Sequence, residues 1–281
     1  MNNFSPPCSI EELKRTAAQV RKDILLMIYE AQAGHPGGSF SAADIVTALY
    51  FRVMRIDPQN PGWPERDRFI LSKGHACPVW YSALANRGYF ERFHLHTLRK
   101  LNSLLQGHAD MKKTPGVDMT VGSLGQGICA GLGMALAAKQ QGKDFRVWVV
   151  IGDGEMQEGS VWEAAMAAPK WKLDNLTVIL DMNRIQNDDF MEATMPVDPV
   201  REKWEAFNWH TIEIDGHDME QIVEALEAAR AFKGQPTIII ANTIKGKGVS
   251  FMENVPAWHG KAPDAQQYQQ AMAELEKGLA I

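Results

Sequence analysis

The fold is constrained most by short, continuous apolar runs rich in β-branched residues. The runs VWVVI, LTVIL and TIIIA lie at residues 147–151, 176–180 and 237–241. Because they do not alternate between apolar and polar residues, they indicate strands that are covered on both faces. Segments with helical patterns, such as GSVWEAAMAAPKW and MEQIVEALEAARAF, separate them. Strands that alternate with helices predict an α/β fold with a doubly wound, mostly parallel sheet flanked by helices.

Shorter patterns predict the remaining elements. Ser9 and Glu12 form a capping box, which predicts a helix that starts after Ser9 and ends before Gly34. The next segment, GHPGGSF, is predicted not to be helical because it is rich in glycine and contains proline. Helices are expected over residues 41–54 and over much of residues 78–105. RFILS and WHTIEID are read as two further strands, and Asp218 as the cap of the helix that follows the second. A small-residue helix after GSLGQG is expected to pack closely on the sheet, and a terminal amphipathic helix is expected from about Asp264.

Composition restricts the class of protein. The 281 residues suit one large α/β domain, and no repeat or linker divides them, so residues 1–281 are expected to form a single domain. A net charge of −5 provides no basic surface for nucleic acid. The apolar runs are shorter than the ~20 residues that span a membrane, and the N-terminus lacks a secretion-signal pattern. Three cysteines without a C-x-x-C pair fit a reducing compartment, so we expect a cytoplasmic protein.

One motif suggests a site for a metal and a phosphate. Residues 152–158 read GDGEMQE directly after the first of the three apolar runs, and Asn183 follows the second. In parallel sheets the carboxyl ends of neighbouring strands meet at one edge, where ligands bind. The carboxylate of Asp153 and the amide oxygen of Asn183 are hard ligands that suit Mg²⁺, and the flanking glycines give a phosphate access to the backbone. For GDG alone, a tight turn remains the alternative.

With Asn183 included, the pattern is similar to the fingerprint of thiamine diphosphate enzymes. The whole chain resembles the N-terminal half of transketolases over residues 10–265. Six motifs occur in the order of that family: AGHPGGSFSAADI, DRFILSKGHACPVWY, QGHADMKKTPGVDMTVGSLGQGICAGLGMALA, IDGHD, TIKGKG and WHGKAP. The resemblance implies thiamine diphosphate as cofactor, with Mg²⁺ or, in its place, Ca²⁺ or Mn²⁺.

The resemblance also implies roles for individual residues. The implied metal ligands are Asp153, Asn183 and the backbone carbonyl of Ile185. The implied cofactor-binding residues are Lys73, His75, Gly122, Ser123, Leu124, Gly152, Asp153, Gly154, Glu155, Asn183, Ile185 and His259. The implied catalytic residues are His35, His108, His259, Glu158 and Glu163. The histidines would donate hydrogen bonds and move protons, and the two glutamates would link paired cofactor sites across a dimer interface. For Lys245 and Lys247, a solvated loop and a phosphate-facing loop are both open.

The resemblance stops at about half of a transketolase. The half that is absent carries the glutamate that activates the aminopyrimidine and most groups that bind sugar phosphates. We therefore expect a split enzyme in which a second subunit, similar to the C-terminal half, completes the site in an α2β2 assembly. It would transfer a two-carbon ketol unit from a ketose phosphate to an aldose phosphate. Three alternatives remain: the alpha subunit of a 2-oxo acid dehydrogenase, a relative of 1-deoxyxylulose-5-phosphate synthase, and a non-catalytic thiamine diphosphate-binding partner protein. Neither a nucleic acid nor a membrane is an expected partner.

Overall fold

A computed structural model describes residues 7–277 of the chain. The strands are β1 (Arg68–Leu71), β2 (Val147–Gly152), β3 (Leu176–Met182), β4 (His210–Asp215) and β5 (Thr237–Asn242). They form one sheet in the order β1-β2-β3-β5-β4, and every neighbouring pair is parallel. The five predicted strands and the parallel sheet are confirmed.

Helices flank the sheet and connect its strands. The α-helices are α1 (Ile10–Ala31), α2 (Pro36–Ser41), α3 (Ala43–Ala48), α4 (Cys77–Arg87), α5 (Gln126–Gln140), α6 (Gly159–Lys170), α7 (Met191–Thr194), α8 (Val200–Ala206), α9 (Met219–Ala231) and α10 (Ala265–Lys277). A π-helical turn covers Leu49–Val53, and 3₁₀ turns cover Gly74–Ala76, Arg92–Thr97, Gly154–Gln157 and Pro256–Trp258. Within residues 7–277, no helix is both long enough and apolar enough to cross a membrane.

The core lies on both sides of the central strands. Every residue of β2 and β3 is buried, as their continuous apolar sequences predict. By contrast, β4 lies at the edge of the sheet and is only partly covered. A Cβ atom on Gly131 of α5 would lie 2.5 Å from Val149 Cγ2 of β2, so glycine allows this helix to approach the sheet closely. The close packing predicted for this helix is therefore confirmed.

The predicted caps are present. Ser9 and Glu12 form the reciprocal capping box at the start of α1. The Asp218 carboxylate accepts hydrogen bonds from the backbone N–H groups of Glu220 and Gln221 at the start of α9. The terminal amphipathic helix is confirmed as α10.

One expectation about helices was wrong, and two were met in part. GHPGGSF was expected not to be helical, yet α2 begins at Pro36, whose fixed φ and missing N–H suit the first helical position. The helix expected over residues 41–54 is present over residues 43–53, but it changes from α-helix to π-helical turn after Ala48. Over residues 78–105 the helical parts are α4 and the 3₁₀ turn Arg92–Thr97. Gly88 ends α4 with a φ of +92°, a left-handed conformation that glycine adopts without strain.

Candidate active site

A cavity of about 450 Å³ lies at the carboxyl ends of β1, β2 and β3. This is the edge at which ligands bind in parallel sheets. Most of the predicted site residues line it, namely His35, Lys73, His75, His108, Gly122, Leu124, Gly152, Gly154, Glu155, Glu158, Asn183, Ile185 and His259. Ser123, Asp153 and Glu163 are not part of the lining. The structure thus brings together residues from motifs that are more than two hundred positions apart in the sequence.

The three predicted metal ligands are tied to one turn after β3. Asp153 accepts hydrogen bonds from the backbone N–H groups of Gly154, at 2.8 Å, and of Arg184. The amide oxygen of Asn183 accepts from the N–H of Ile185 at 3.2 Å. Arg184, between the two, has a left-handed φ of +67°, which turns the chain sharply. Asp153, Asn183 and Ile185 are all buried, so their oxygens are withdrawn from bulk water.

The negative charge of the buried Asp153 carboxylate is only weakly balanced by its surroundings. Burial, reinforced by the nearby carboxylate of Asp181, raises the pKa of Asp153 to about 6. A buried carboxylate with this environment is stabilised by a cation that comes close to it. Among residues 7–277 there is no group of three or more His, Cys, Asp or Glu side chains suited to a metal. A metal at this position would therefore depend on amide and carbonyl oxygens as well as on Asp153.

Lys245 is a site residue that the sequence left undecided. It is buried, and its Nζ donates to the backbone carbonyls of Ile185 at 2.6 Å and Gln186 at 3.2 Å. Burial lowers the pKa of Lys245 to about 8. Lys247, by contrast, is half-buried and lies 3.8 Å from a carboxylate oxygen of Glu253. Its position in the sequence could have identified Lys245 as a site residue, since Lys245 follows the carboxyl end of β5 at the same edge of the sheet.

Three imidazoles cluster in the cavity. The ring centroid of His35 lies 5.0 Å from that of His75 and 5.4 Å from that of His259, and the His75 and His259 rings are 5.1 Å apart. Burial is the main cause that lowers the pKa of His35 to about 4 and of His259 to about 3, and it also lowers the pKa of His75. The rings are therefore neutral near pH 7, with one N–H donor and one acceptor nitrogen each.

Contacts fix the proton position on one of these rings. Lys245 Nζ lies 2.7 Å from His259 Nδ1. An ammonium group has donors only, so Nδ1 accepts and the proton of neutral His259 is on Nε2. His35 Nδ1 is buried and has no hydrogen-bond partner among the described residues. His108 lies at the exposed mouth of the cavity, and partial burial with the positive charge of Arg99 lowers its pKa.

A buried network around Asp181 supports the site, and sequence reasoning missed it. The Lys73 ammonium pairs with the Asp181 carboxylate and donates to the carbonyl of Gly38 at 2.8 Å. Asp181 also accepts from Ser41 Oγ at 2.6 Å and from Asn183 Nδ2 at 3.1 Å. Burial alone would raise the pKa of Asp181, but Lys73 and the hydroxyl groups of Ser41 and Thr243 hold it below its ordinary value. The network orients the Asn183 amide. Its only sequence signal is an acid at the end of an apolar strand.

The three predicted glutamates differ in environment. Glu155 is buried and accepts from Ser72 Oγ, from Gly125 N at 2.8 Å and from Gly152 N at 3.1 Å. Its oxygens thus hold the glycine loop before α5 against the end of β2. Glu158 and Glu163 are exposed in the single chain. Their predicted role in linking two cofactor sites requires a second chain that buries them, and it stays a prediction.

Comparisons with known proteins agree with this architecture. Residues 13–277 match the family model "Transketolase, thiamine diphosphate binding domain". The chain is 47% identical over 266 residues to the 6-deoxy-6-sulfo-D-fructose transketolase subunit SqwG of Clostridium sp. (strain MSTE9), with 95% of this chain and 97% of that protein covered. It is 40% identical over 270 residues to an apulose-4-phosphate transketolase subunit from Phocaeicola vulgatus, with 96% of each covered.

Longer relatives match over less than half of their length. Human transketolase is 42% identical over 267 residues, which cover 95% of this chain and 42% of the human protein. A transketolase structure from Campylobacter jejuni superposes with a TM-score of 0.88 at 32% identity and covers 94% of this chain and 43% of that one. The chain therefore spans nearly the whole of the two shorter relatives and under half of these longer proteins.

Proposed function

Because this chain belongs to the transketolase family, matching its thiamine diphosphate-binding part, we propose that it is the diphosphate-binding subunit of a two-chain transketolase. In this proposal a second subunit completes the active site, and the complex transfers a two-carbon ketol unit from a ketose to an aldose. The observation that carries the proposal is the cavity at the carboxyl ends of β1, β2 and β3, with Asp153, Asn183 and Ile185 tied to one turn beside it.

The residues present fit a divalent metal. Asp153 offers a buried carboxylate without a cation in ion-pair contact among the described residues. Asn183 and Ile185 add an amide and a carbonyl oxygen, and Mg²⁺ accepts this mixture with phosphate oxygens or water completing its octahedron. Ca²⁺ and Mn²⁺ bind the same oxygen types. We propose that these three residues hold the metal.

The cavity also fits a diphosphate. Lys245 supplies a buried ammonium, and His75 and His259 supply ring nitrogens. Gly38 leaves space, because a Cβ there would lie 3.7 Å from Lys73 Nζ and 3.8 Å from His75 Nε2 and would narrow the cavity between them. Gln186 Nε2 is buried without a partner among the described residues and lines the same cavity, so it is a further available donor. These groups, together with Lys73, Gly152, Gly154 and the loop at Gly122, Ser123 and Leu124, are the proposed cofactor contacts.

The proposed chemistry uses neutral imidazoles. Thiamine diphosphate, when bound, supplies the electron sink for breaking and forming the carbon–carbon bond. His35 and His108 line the cavity, and their lowered pKa values favour the neutral rings near pH 7. A neutral ring can donate its N–H to the carbonyl oxygen of the substrate and accept a hydroxyl proton at its other nitrogen. His259 presents Nε2–H because Lys245 occupies Nδ1.

The partner and substrate classes follow from the relatives. SqwG and the Phocaeicola vulgatus protein are both named as subunits and are matched over 97% and 96% of their lengths, which supports a second chain and, in our proposal, an α2β2 assembly. Each of the two names contains a ketose that carries an anionic group, which is a sulfonate in the first name and a phosphate in the second. We propose a ketose of this class as donor. Three free cysteines among the described residues support a reducing, cytoplasmic setting.

One experiment tests the two-chain proposal. The full chain is tagged in its native cell, and the proteins that co-purify are identified by mass spectrometry. We expect a stoichiometric partner similar to the C-terminal half of transketolase. The purified complex, but not the chain alone, should transfer ketol units from xylulose 5-phosphate or 6-deoxy-6-sulfofructose to an aldose phosphate. Full-rate transfer by the chain alone, or co-purification with a dihydrolipoyl acyltransferase instead, would show the proposal to be wrong.

A further inference from the structure

A second cavity, of about 560 Å³, lies at the opposite edge of the sheet from the candidate active site. Its lining includes Asp67 and Arg146, which directly precede β1 and β2 and so mark the amino ends of these parallel strands. We call it the arginine cavity. Its cationic residues are Arg52, Arg55, Arg87, Arg146, Arg230 and Lys233. The function proposed above uses none of them.

The positive charge of the arginine cavity is not balanced. Two carboxylates, Asp67 and Asp144, belong to its lining. A third, that of Glu227, lies 3.6 Å from Arg52 Nε. Arg52, Arg55 and Arg230 have a carboxylate within 4.0 Å, that of Glu227, Asp144 and Asp67 respectively. Among the described residues Arg87, Arg146 and Lys233 have no such ion pair, so these three cations leave an excess of positive charge. Asp67 is also occupied by backbone groups, because it accepts the N–H of Arg55 and of Arg146, each at 2.9 Å.

Three of the guanidinium groups donate to neutral carbonyl acceptors, whereas that of Arg55 donates to the Asp144 carboxylate at 3.2 and 2.7 Å. Arg52 donates to the carbonyl of Cys8 at 2.8 Å, and Arg230 donates to the carbonyl of Val53. Arg146 donates to the carbonyls of Asp174 at 2.6 Å and Ala229 at 3.1 Å. Carbonyls orient a guanidinium but do not neutralise its charge. The carbonyl contacts therefore explain where these arginines point. Arg52 and Arg230 also have a carboxylate within 4.0 Å, whereas Arg146 has none among the described residues and keeps its charge without an ion pair.

Two cations of this cavity, Arg87 and Lys233, have no hydrogen bond or ion pair among the described residues. The Nε atoms of Arg52, Arg55, Arg87 and Arg146 are buried without a hydrogen-bond partner among residues 7–277, and Arg146 as a whole is only 7% exposed. Arg87 has neither a hydrogen bond nor an ion pair within this part of the chain, and its guanidinium lies 5.9 Å from the ring centroid of Phe51. Lys233, in the same range, is exposed and likewise has no carboxylate partner. Arg87 and Lys233 are thus the free cations of the cavity.

We propose that the arginine cavity binds a small anion that carries two or more linked phosphate groups. The planar fork of arginine matches phosphate oxygens, and several fixed forks around one cavity favour a ligand with several such groups. A single phosphate group carries too little negative charge to balance the excess positive charge of the arginine cavity. The volume lies in the range of small-molecule sites, roughly 300–1,000 Å³. The ligand can be an inorganic polyphosphate or a nucleotide, because both present the same phosphate chain.

Calorimetric titration of the full chain with tripolyphosphate, without magnesium, tests this proposal. Arg87→Gln and Lys233→Gln should each weaken binding several-fold, and the double variant should weaken it by about tenfold or more, as expected for loss of charge-assisted hydrogen bonds. Arg15→Gln is the matched control, because Arg15 is an exposed arginine of α1 that does not line the cavity. Its affinity should stay within about twofold of that of the unaltered chain.

Hydrogen–deuterium exchange separates the two cavities, since the candidate active site can also take a phosphate chain. Tripolyphosphate should protect residues 50–55 and 144–147 in the unaltered chain, and this protection should disappear in the double variant. Orthophosphate should bind much more weakly. Tighter binding of ATP than of tripolyphosphate would support a nucleotide ligand. Equal affinities of the double variant and the unaltered chain, protection confined to residues 152–158 and 245–259, or equal binding of orthophosphate would each overturn the proposal.

Discussion

At the scale of residues, the candidate active site depends on a few groups whose chemistry is set by burial. Asp153 is buried with a pKa raised to about 6, and Asn183 is oriented by Asp181. Asp153 and Asn183 could be identified from the sequence because their types and positions after strands are local features. The contact of Lys245 with Ile185 and the pairing of Lys73 with Asp181 could not, since each joins residues 60 or more positions apart.

The first prediction concerns Asp153. Asp153→Ala removes the only carboxylate among the proposed metal ligands, so Mg²⁺-dependent binding of thiamine diphosphate should fall by at least about 100-fold. Calorimetric titration of the chain with cofactor, with and without Mg²⁺, measures this loss. Asp188→Ala is the control, because Asp188 is an exposed acid in the loop beyond Asn183 and should leave binding unchanged. Retained Mg²⁺-dependent binding in Asp153→Ala would mean that the metal is held elsewhere.

At the scale of elements, continuous apolar runs predicted β2, β3 and β5, because a buried parallel strand requires side chains that are apolar on both faces. The edge strand β4 is only partly buried and was predicted from a shorter pattern. Helix ends were harder to predict. The sequence of α2 contains two glycines and a proline, and its helix forms because it is buried throughout, which local propensity does not reveal. The change from α3 to the π-helical turn after Ala48 also has no local sequence signal.

The second prediction compares two glycines of α5. A Cβ at Gly131 would lie 2.5 Å from Val149 Cγ2, whereas a Cβ at Gly133 would meet no atom within 4 Å. Gly131→Ala should therefore lower the free energy of unfolding by about 1–3 kcal/mol, because overpacking against β2 exceeds the gain in helix propensity. Gly133→Ala should raise it by up to ~1 kcal/mol, since only the propensity term acts. Urea denaturation of the isolated chain measures both, and a stabilising Gly131→Ala would show that α5 can move away from the sheet.

At the scale of the whole molecule, the sheet separates two ligand-sized cavities. The candidate active site lies at the carboxyl ends of the strands, and the arginine cavity lies at the amino ends. The parallel class of the sheet was predictable from alternating strands and helices. Its spatial order was not, because β5 lies between β3 and β4 and no local pattern specifies which strands become neighbours. Side-chain networks that connect distant segments are equally invisible in a single sequence.

The last prediction concerns such a network, in which Asp44 joins three segments. Asp44 of α3 accepts two hydrogen bonds from Arg21 of α1, at 2.9 and 2.6 Å, and contacts His217 Nδ1, before α9, at 2.8 Å. Burial alone would raise the pKa of Asp44, but Arg21 and His217 hold it well below its ordinary value. Asp44→Asn leaves Arg21 buried without its counter-charge, so the free energy of unfolding at pH 7 should fall by about 3–5 kcal/mol.

The lowered pKa of Asp44 also determines the direction in which the free energy of unfolding changes with pH. The ionised form of Asp44 is favoured in the folded state, so its contribution to stability is complete above the unfolded-state pKa of about 4 and is lost progressively as the pH falls below it. The stability gap between the unaltered chain and Asp44→Asn should therefore narrow as the pH is lowered from 5 towards 3. Glu276→Gln, which breaks the exposed pair with Lys22, is the control and should cost less than about 1 kcal/mol. Urea denaturation at several pH values measures these differences, and a gap that widens in acid would contradict the assignment of Asp44 as a buried carboxylate stabilised by Arg21.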